Sequence, residues 1–128
     1  MFAGMDLANE YKSGQSIIVA AKTGTGNGTA IDFGDCGPET TAILLGGAVS
    51  GTSPTADVAF EESDTSGGTY TAISGAAMTQ VSAANAFEVY TFMGRKKRYV
   101  RAVISAIGGS STPTVTFGVA LMAKKVSY

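Results

Sequence analysis

Chemistry needs groups that attack, transfer protons or hold an ion, and this chain is poor in them. It has no His, which excludes a Ser-His-Asp triad, a Cys-His dyad and a His-ligated metal. Cys36 stands alone, so neither an intrachain disulfide nor a Cys-rich zinc site can form. It reads as a small, partly buried side chain, because no base or second thiol lies near it in sequence to activate it. An unpaired Cys in a disulfide-free chain also fits assembly in a reducing cytoplasm. Glu61, Glu62 and Asp64 cluster where a strand runs into a turn, a place where oxygen ligands can hold Ca²⁺. The plainer reading is a solvated strand end, and no metal is expected. No two acids stand out as the carboxylate pair of a glycosidase. Lys22-Thr-Gly-Thr-Gly-Asn-Gly resembles a phosphate loop only superficially, since a P-loop carries its Lys after the second Gly and leads into a helix. A flexible or hairpin loop is expected there. Asn27-Gly-Thr29 fits a glycosylation sequon, but with no signal peptide expected it reads as coincidence. No catalytic residue and no cofactor are expected.

The strongest charge feature is Arg95-Lys-Lys-Arg98, four adjacent cations at a turn between two predicted strands. The plain reading is a solvated turn that keeps a hairpin soluble and blocks edge pairing. The functional reading is a docking surface for an acidic protein partner, formed by Arg95, Lys96, Lys97 and Arg98. Nucleic acid is not the expected partner. A strand-binding groove adds aromatic stacking platforms, and Tyr99 is the sole aromatic beside the run.

The elements that must position these residues are strands. Val and Ile number 17 against four Leu, and β-branched side chains favour pleated surfaces. Ala56–Glu62 alternates, with Val58 and Phe60 inward and Asp57, Ala59 and Glu61 outward. Val100, Ala102 and Ile104 share one face of a strand from Arg98 to Ile107. Val115, Phe117, Val119 and Leu121 then alternate strictly with Thr114, Thr116, Gly118 and Ala120. Ala86–Phe92 alternates as well, and Phe87 and Val89 are assigned to the core. Gly- and Ser-rich stretches at Gly46–Pro54, Ser63–Gly68 and Gly108–Pro113 read as loops and turns. The expected fold is therefore all-β: an antiparallel β-sandwich or jelly roll of about eight short strands. Residues 1–14 are expected as a loosely structured N-terminal arm and 15–128 as one sandwich domain. No apolar run is long enough for a membrane helix, and no membrane partner is expected.

The net charge of −1 hides an asymmetry. Residues 1–94 carry all ten carboxylates against Lys12 and Lys22, a charge of −8, while residues 95–128 carry +7. Such a chain can be complementary to a copy of itself, or neutralised within one fold.

Ala42-Ile-Leu-Leu-Gly-Gly, Gly51-Thr-Ser-Pro-Thr-Ala-Asp-Val-Ala-Phe-Glu-Glu-Ser-Asp-Thr-Ser-Gly-Gly-Thr-Tyr, Lys97-Arg-Tyr-Val-Arg-Ala-Val-Ile and Thr114-Val-Thr-Phe-Gly-Val-Ala-Leu-Met-Ala-Lys-Lys together resemble the small head decoration proteins of tailed bacteriophages, also called capsid cement or stabilisation proteins. The resemblance covers roughly residues 41–125. The family usually has Trp in the returning strand where this chain has Tyr70. The resemblance implies a structural virion protein, not an enzyme, that binds the outer surface of an assembled capsid and bridges its subunits. It implies the major capsid protein as partner, a homo-oligomer with a trimer favoured, and location on the virion after assembly in the host bacterial cytoplasm. The alternative reading is a glycan-binding β-sandwich on a phage fibre or cell-surface protein, using Tyr70 or Tyr90 as aromatic platforms. The absence of Trp weighs against it.

Overall fold

The computed structural model describes residues 10–126. Among these residues the fold is all-β, with 70% in strand and no helix. Seven strands run in chain order as β1 Tyr11–Lys22, β2 Gly26–Asn27, β3 Ile31–Asp32, β4 Thr40–Ser63, β5 Thr71–Ala77, β6 Phe87–Phe92 and β7 Tyr99–Lys124. They form one antiparallel sheet around a central ribbon, in which β4 and β7 pair from Thr41↔Met122 to Ser63↔Tyr99. At one end of the ribbon β1 flanks β7 and β6 flanks β4. At the other end β2 and β3 flank β7 and β5 flanks β4.

The two long strands depart from expectation. Gly46–Pro54 and Gly108–Pro113 were legible as loops, yet both are strand, paired to each other through register shifts at Gly46/Val49, Ser50/Thr52 and Thr52/Thr55. Bulges of this kind bend a strand without ending it. Gly51 and Gly109 take φ of +93° and +114°, and a Cβ on Gly109 would lie 2.9 Å from the Thr52 and Ser53 carbonyl oxygens. Glycine there serves a bend inside a paired ribbon.

β1 begins within the expected arm. Residues 11–14 pair with β7 from Tyr11↔Lys124 to Gly14↔Leu121, and Met1–Asn9 lies outside the described residues. Ile17 is buried in the second half of this strand, where the run Ile17–Val19 marks it in the sequence, but the residues before it, among them Gly14 and the buried Ser16, give no apolar period. Ser16 does structural work instead: its buried Oγ accepts from Ala102 N and donates to the Thr29 carbonyl, both at 2.8 Å. That bond ties the Gly-rich loop to β7, where Gly26 and Asn27 pair with Ile104 and Val103.

Val58, Phe60, Val100, Ala102, Ile104, Val115, Phe117, Val119 and Leu121 are buried on the faces their alternation assigns. β6 is the correction. Phe87 and Val89 are 65% and 57% exposed, while Phe92 is buried and Tyr90 half-buried. The strand is apolar on both faces, so its period cannot choose between them. Phe60 chooses: its ring stacks on Phe92 at 4.8 Å, and Tyr90 stacks on Phe92 at 5.7 Å. Phe60 lies in the half of β4 remote from β6's own pairing at Thr40–Leu45, so this contact joins the two ends of the ribbon through the core.

Candidate docking site

The basic run lies on the loop between β6 and β7, and the fold sorts its four cations into three roles. Arg95 is turned inward and buried. Its guanidinium donates to the carbonyl oxygens of Lys97 at 2.9 Å, Cys36 at 2.8 Å and Gly37, and packs 5.7 Å from the centre of the Phe33 ring. It locks the loop to the β3–β4 connection and is not a free docking charge. Arg98 is exposed but paired, its Nε and Nη2 each 2.8 Å from a carboxylate oxygen of Asp32, with Tyr99 beneath it at 5.3 Å. Lys96 and Lys97 make no ion pair among the described residues.

The backbone of those two lysines is held from below. Glu62 is buried, and its Oε1 accepts the N–H groups of Lys96 at 2.7 Å and Lys97 at 3.0 Å. A charged acceptor for two adjacent donors is a strong local clamp. The alternation that sends Val58 and Phe60 inward also sends Glu62 inward, so this contact had a signal in the sequence. Arg95 had none, because a run of charges reads as solvated. Glu61 points to the opposite face, where Arg101 donates to it at 2.8 Å and lies 3.9 Å from the Tyr70 ring centre. The acids thus diverge, and among the described residues no three His, Cys, Asp or Glu converge as metal ligands.

The loop and residues Gly34–Pro38 flank an open groove of about 450 Å³. Cys36 sits on its wall, half-buried, its Sγ 3.5 Å from the Ala123 carbonyl oxygen. Burial pushes its thiol pKa up, which favours the unreactive protonated form. Native protein should therefore react with a maleimide more slowly than urea-unfolded protein at neutral pH; equal rates would contradict this burial.

The Arg98 hydrogen bonds hold the Asp32 carboxyl well below the usual carboxylate range. A depressed carboxyl stabilises the fold fully above its unfolded pKa of about 3.9, and that contribution fades as pH falls toward the folded value. Asp32→Asn should flatten the decline of Tm below about pH 4. An unchanged acid slope in that variant would remove the pair from the stability account.

The aromatics considered for sugar stacking are both engaged. Tyr70 donates to the Ser66 carbonyl and carries Arg101 on its face, and Tyr90 packs in the Phe60–Phe92 stack and donates to the Gly75 carbonyl. Of the four cations of the run, exposed Lys96 and half-buried Lys97 are the two without an ion pair among the described residues. Comparison with protein-family models and with curated proteins finds no match for this chain.

Proposed function

We propose that this protein is a structural virion component that binds the outer surface of an assembled phage capsid and stabilises it by bridging capsid subunits. The observation that carries the reading is the Lys96–Lys97 loop, clamped by Glu62 and Arg95 so that two lysines without an ion pair among the described residues sit on a pre-ordered backbone. Pre-ordering lowers the entropy lost on docking. An acidic patch on the major capsid protein is the partner such a loop fits. The segments that resemble head decoration proteins cover most of β4 and both ends of β7 and begin at Lys97 in this loop, and they supply the capsid as the setting. The Phe60–Phe92 stack supports a sheet folded into two facing layers, a sandwich of jelly-roll type. In this reading the chain acts as a homo-oligomer, a trimer by family resemblance, on virions assembled in the bacterial cytoplasm. It performs no catalysis. Because it binds assembled heads and not dissociated subunits, it shifts the equilibrium toward the assembled state by mass action, and display over a lattice multiplies the effect.

The experiment is co-sedimentation with purified heads. The protein should pellet at a saturating copy number per head, with occupancy falling as salt rises. Reversing both charges, Lys96→Glu with Lys97→Glu, should weaken binding about tenfold or more, roughly 1.4 kcal/mol. Binding indifferent to salt and to this variant would remove the loop from docking. No binding to any head, with signal on a glycan array, would favour the sugar-binding alternative.

A further inference from the structure

The groove between the Arg95–Arg98 loop and Gly34–Pro38 is short of negative charge. All four cations of the run line it, against one carboxylate, Asp35, which is taken by Lys12 at 3.4 Å. Arg98 is taken by Asp32. Glu39, next along from Pro38, lines a different depression together with Lys124. That leaves Arg95, Lys96 and Lys97, with Glu62 beneath the two lysines. Glu62 accepts from their backbone N–H groups and not from their ammonium groups. Even with its charge counted, a surplus of two positive charges remains. Arg95 makes the deficit costly. It is only 9% exposed and forms no ion pair among the described residues. Its three acceptors are neutral carbonyl oxygens, and its buried Nε has no acceptor at all. A buried charge without a counter-charge is destabilising, and an anion nearby relieves it even without direct contact.

We propose that this groove binds phosphate, taken up as the free ion. The state of the cations selects phosphate over a carboxylate. A carboxylate is best received by the planar fork of an arginine. Both forks here are engaged, Arg95 with carbonyls and Arg98 with Asp32. What is left is two ammonium groups, compact charges that approach an oxyanion from any direction. A phosphate dianion offers acceptor oxygens that point apart, so Lys96 and Lys97 each bond one of them while the Arg95 charge lies behind. The backbone that carries the lysines is already clamped by Glu62, so binding orders only their side chains. The groove is open, the ion keeps part of its water shell, and a Kd of about 1 mM is expected. Phosphate draws on the same lysines as an acidic partner, so the free ion should compete with docking. Phosphate binding is measured on the free protein without heads, and it stands or falls separately from the capsid reading.

The experiment is a titration of the isotope-labelled full chain with sodium phosphate, followed by the NMR shifts of its amides, with sodium chloride adjusted to hold the ionic strength constant. The shifts should saturate with a Kd of about 1 mM. They should cluster at Gly34–Gly37 and Arg95–Arg98, the two walls of the groove. Lys96→Ala with Lys97→Ala should weaken binding about tenfold or more. That variant should keep the wild-type spectrum elsewhere, because alanine retains the N–H groups that Glu62 holds. Acetate should bind about fivefold more weakly than phosphate or worse, for want of a free arginine fork. A short thymidine oligonucleotide, at equal concentration of phosphate groups, should bind no better than the free ion, since each phosphodiester carries a single charge. Shifts that grow without saturating, that scatter over the surface or that persist in the variant would overturn the site. Acetate binding as well as phosphate would overturn the choice of ligand. Tighter binding of the oligonucleotide would do so too, by making the loop a contact for a nucleic-acid backbone.

Discussion

Phe60→Ala should cost about 3–5 kcal/mol of folding stability and lower Tm by roughly 10–20 °C. Phe60 is fully buried and holds three things at once. It alternates with Val58 on the inward face of β4, it stacks on Phe92, and it meets Tyr90 at 6.2 Å. Those contacts tie the far half of β4 to the strand that pairs with its near half. Removing the ring leaves a cavity that neither half can fill by local collapse, because the ribbon between them is fixed by its bulges. Thermal unfolding followed by circular dichroism measures the loss. A drop of only a few degrees would mean that the two ends of the ribbon do not meet through this ring.

Arg95→Ala should cost about 2–4 kcal/mol, several times the effect of Arg98→Ala. The first leaves three carbonyl oxygens, of Cys36, Gly37 and Lys97, without their donor, and it uncovers Phe33. The second breaks an exposed, solvent-screened ion pair, of a kind that contributes little to stability. Burial lowers the Arg95 pKa, but a guanidinium keeps its charge, so the fork of donors persists at every pH at which the protein is folded. Arg95→Lys should not restore the loss, because one ammonium cannot span three acceptors. Urea unfolding of the three variants gives the comparison. Equal effects at Arg95 and Arg98 would return the basic run to four equivalent surface charges.

Much of the fold was legible because one face of each central strand is apolar and the other is not. Val58 and Phe60, the Val100–Ile104 set and the Val115–Leu121 set all lie where a period of two puts them. Legibility failed where that contrast was missing. β6 has Phe87 and Val89 on one face and Tyr90 and Phe92 on the other, and only its neighbours in space decide which is inside. The second half of β1 is marked by its Ile17–Val19 run, with Ile17 buried, but the first half, Tyr11 to Ser16, has no apolar alternation, so its pairing with β7 leaves no trace. The bends at Gly51 and Gly109 look like loops because a bulge and a turn ask for the same small residues. The basic run was visible as charge but not as architecture. Nothing in four consecutive cations says that the first is buried among carbonyls, the last is paired to Asp32, and the middle two make no ion pair among the described residues.

The proposed role is the stabilisation of an assembled shell by fit and charge. Its most direct test is the temperature at which purified, undecorated heads come apart, followed by light scattering with and without saturating protein. The expected result is a rise that grows with protein concentration, as linkage requires of a ligand that binds only the assembled state. Heads that bind the protein yet fall apart at an unchanged or lower temperature would contradict it.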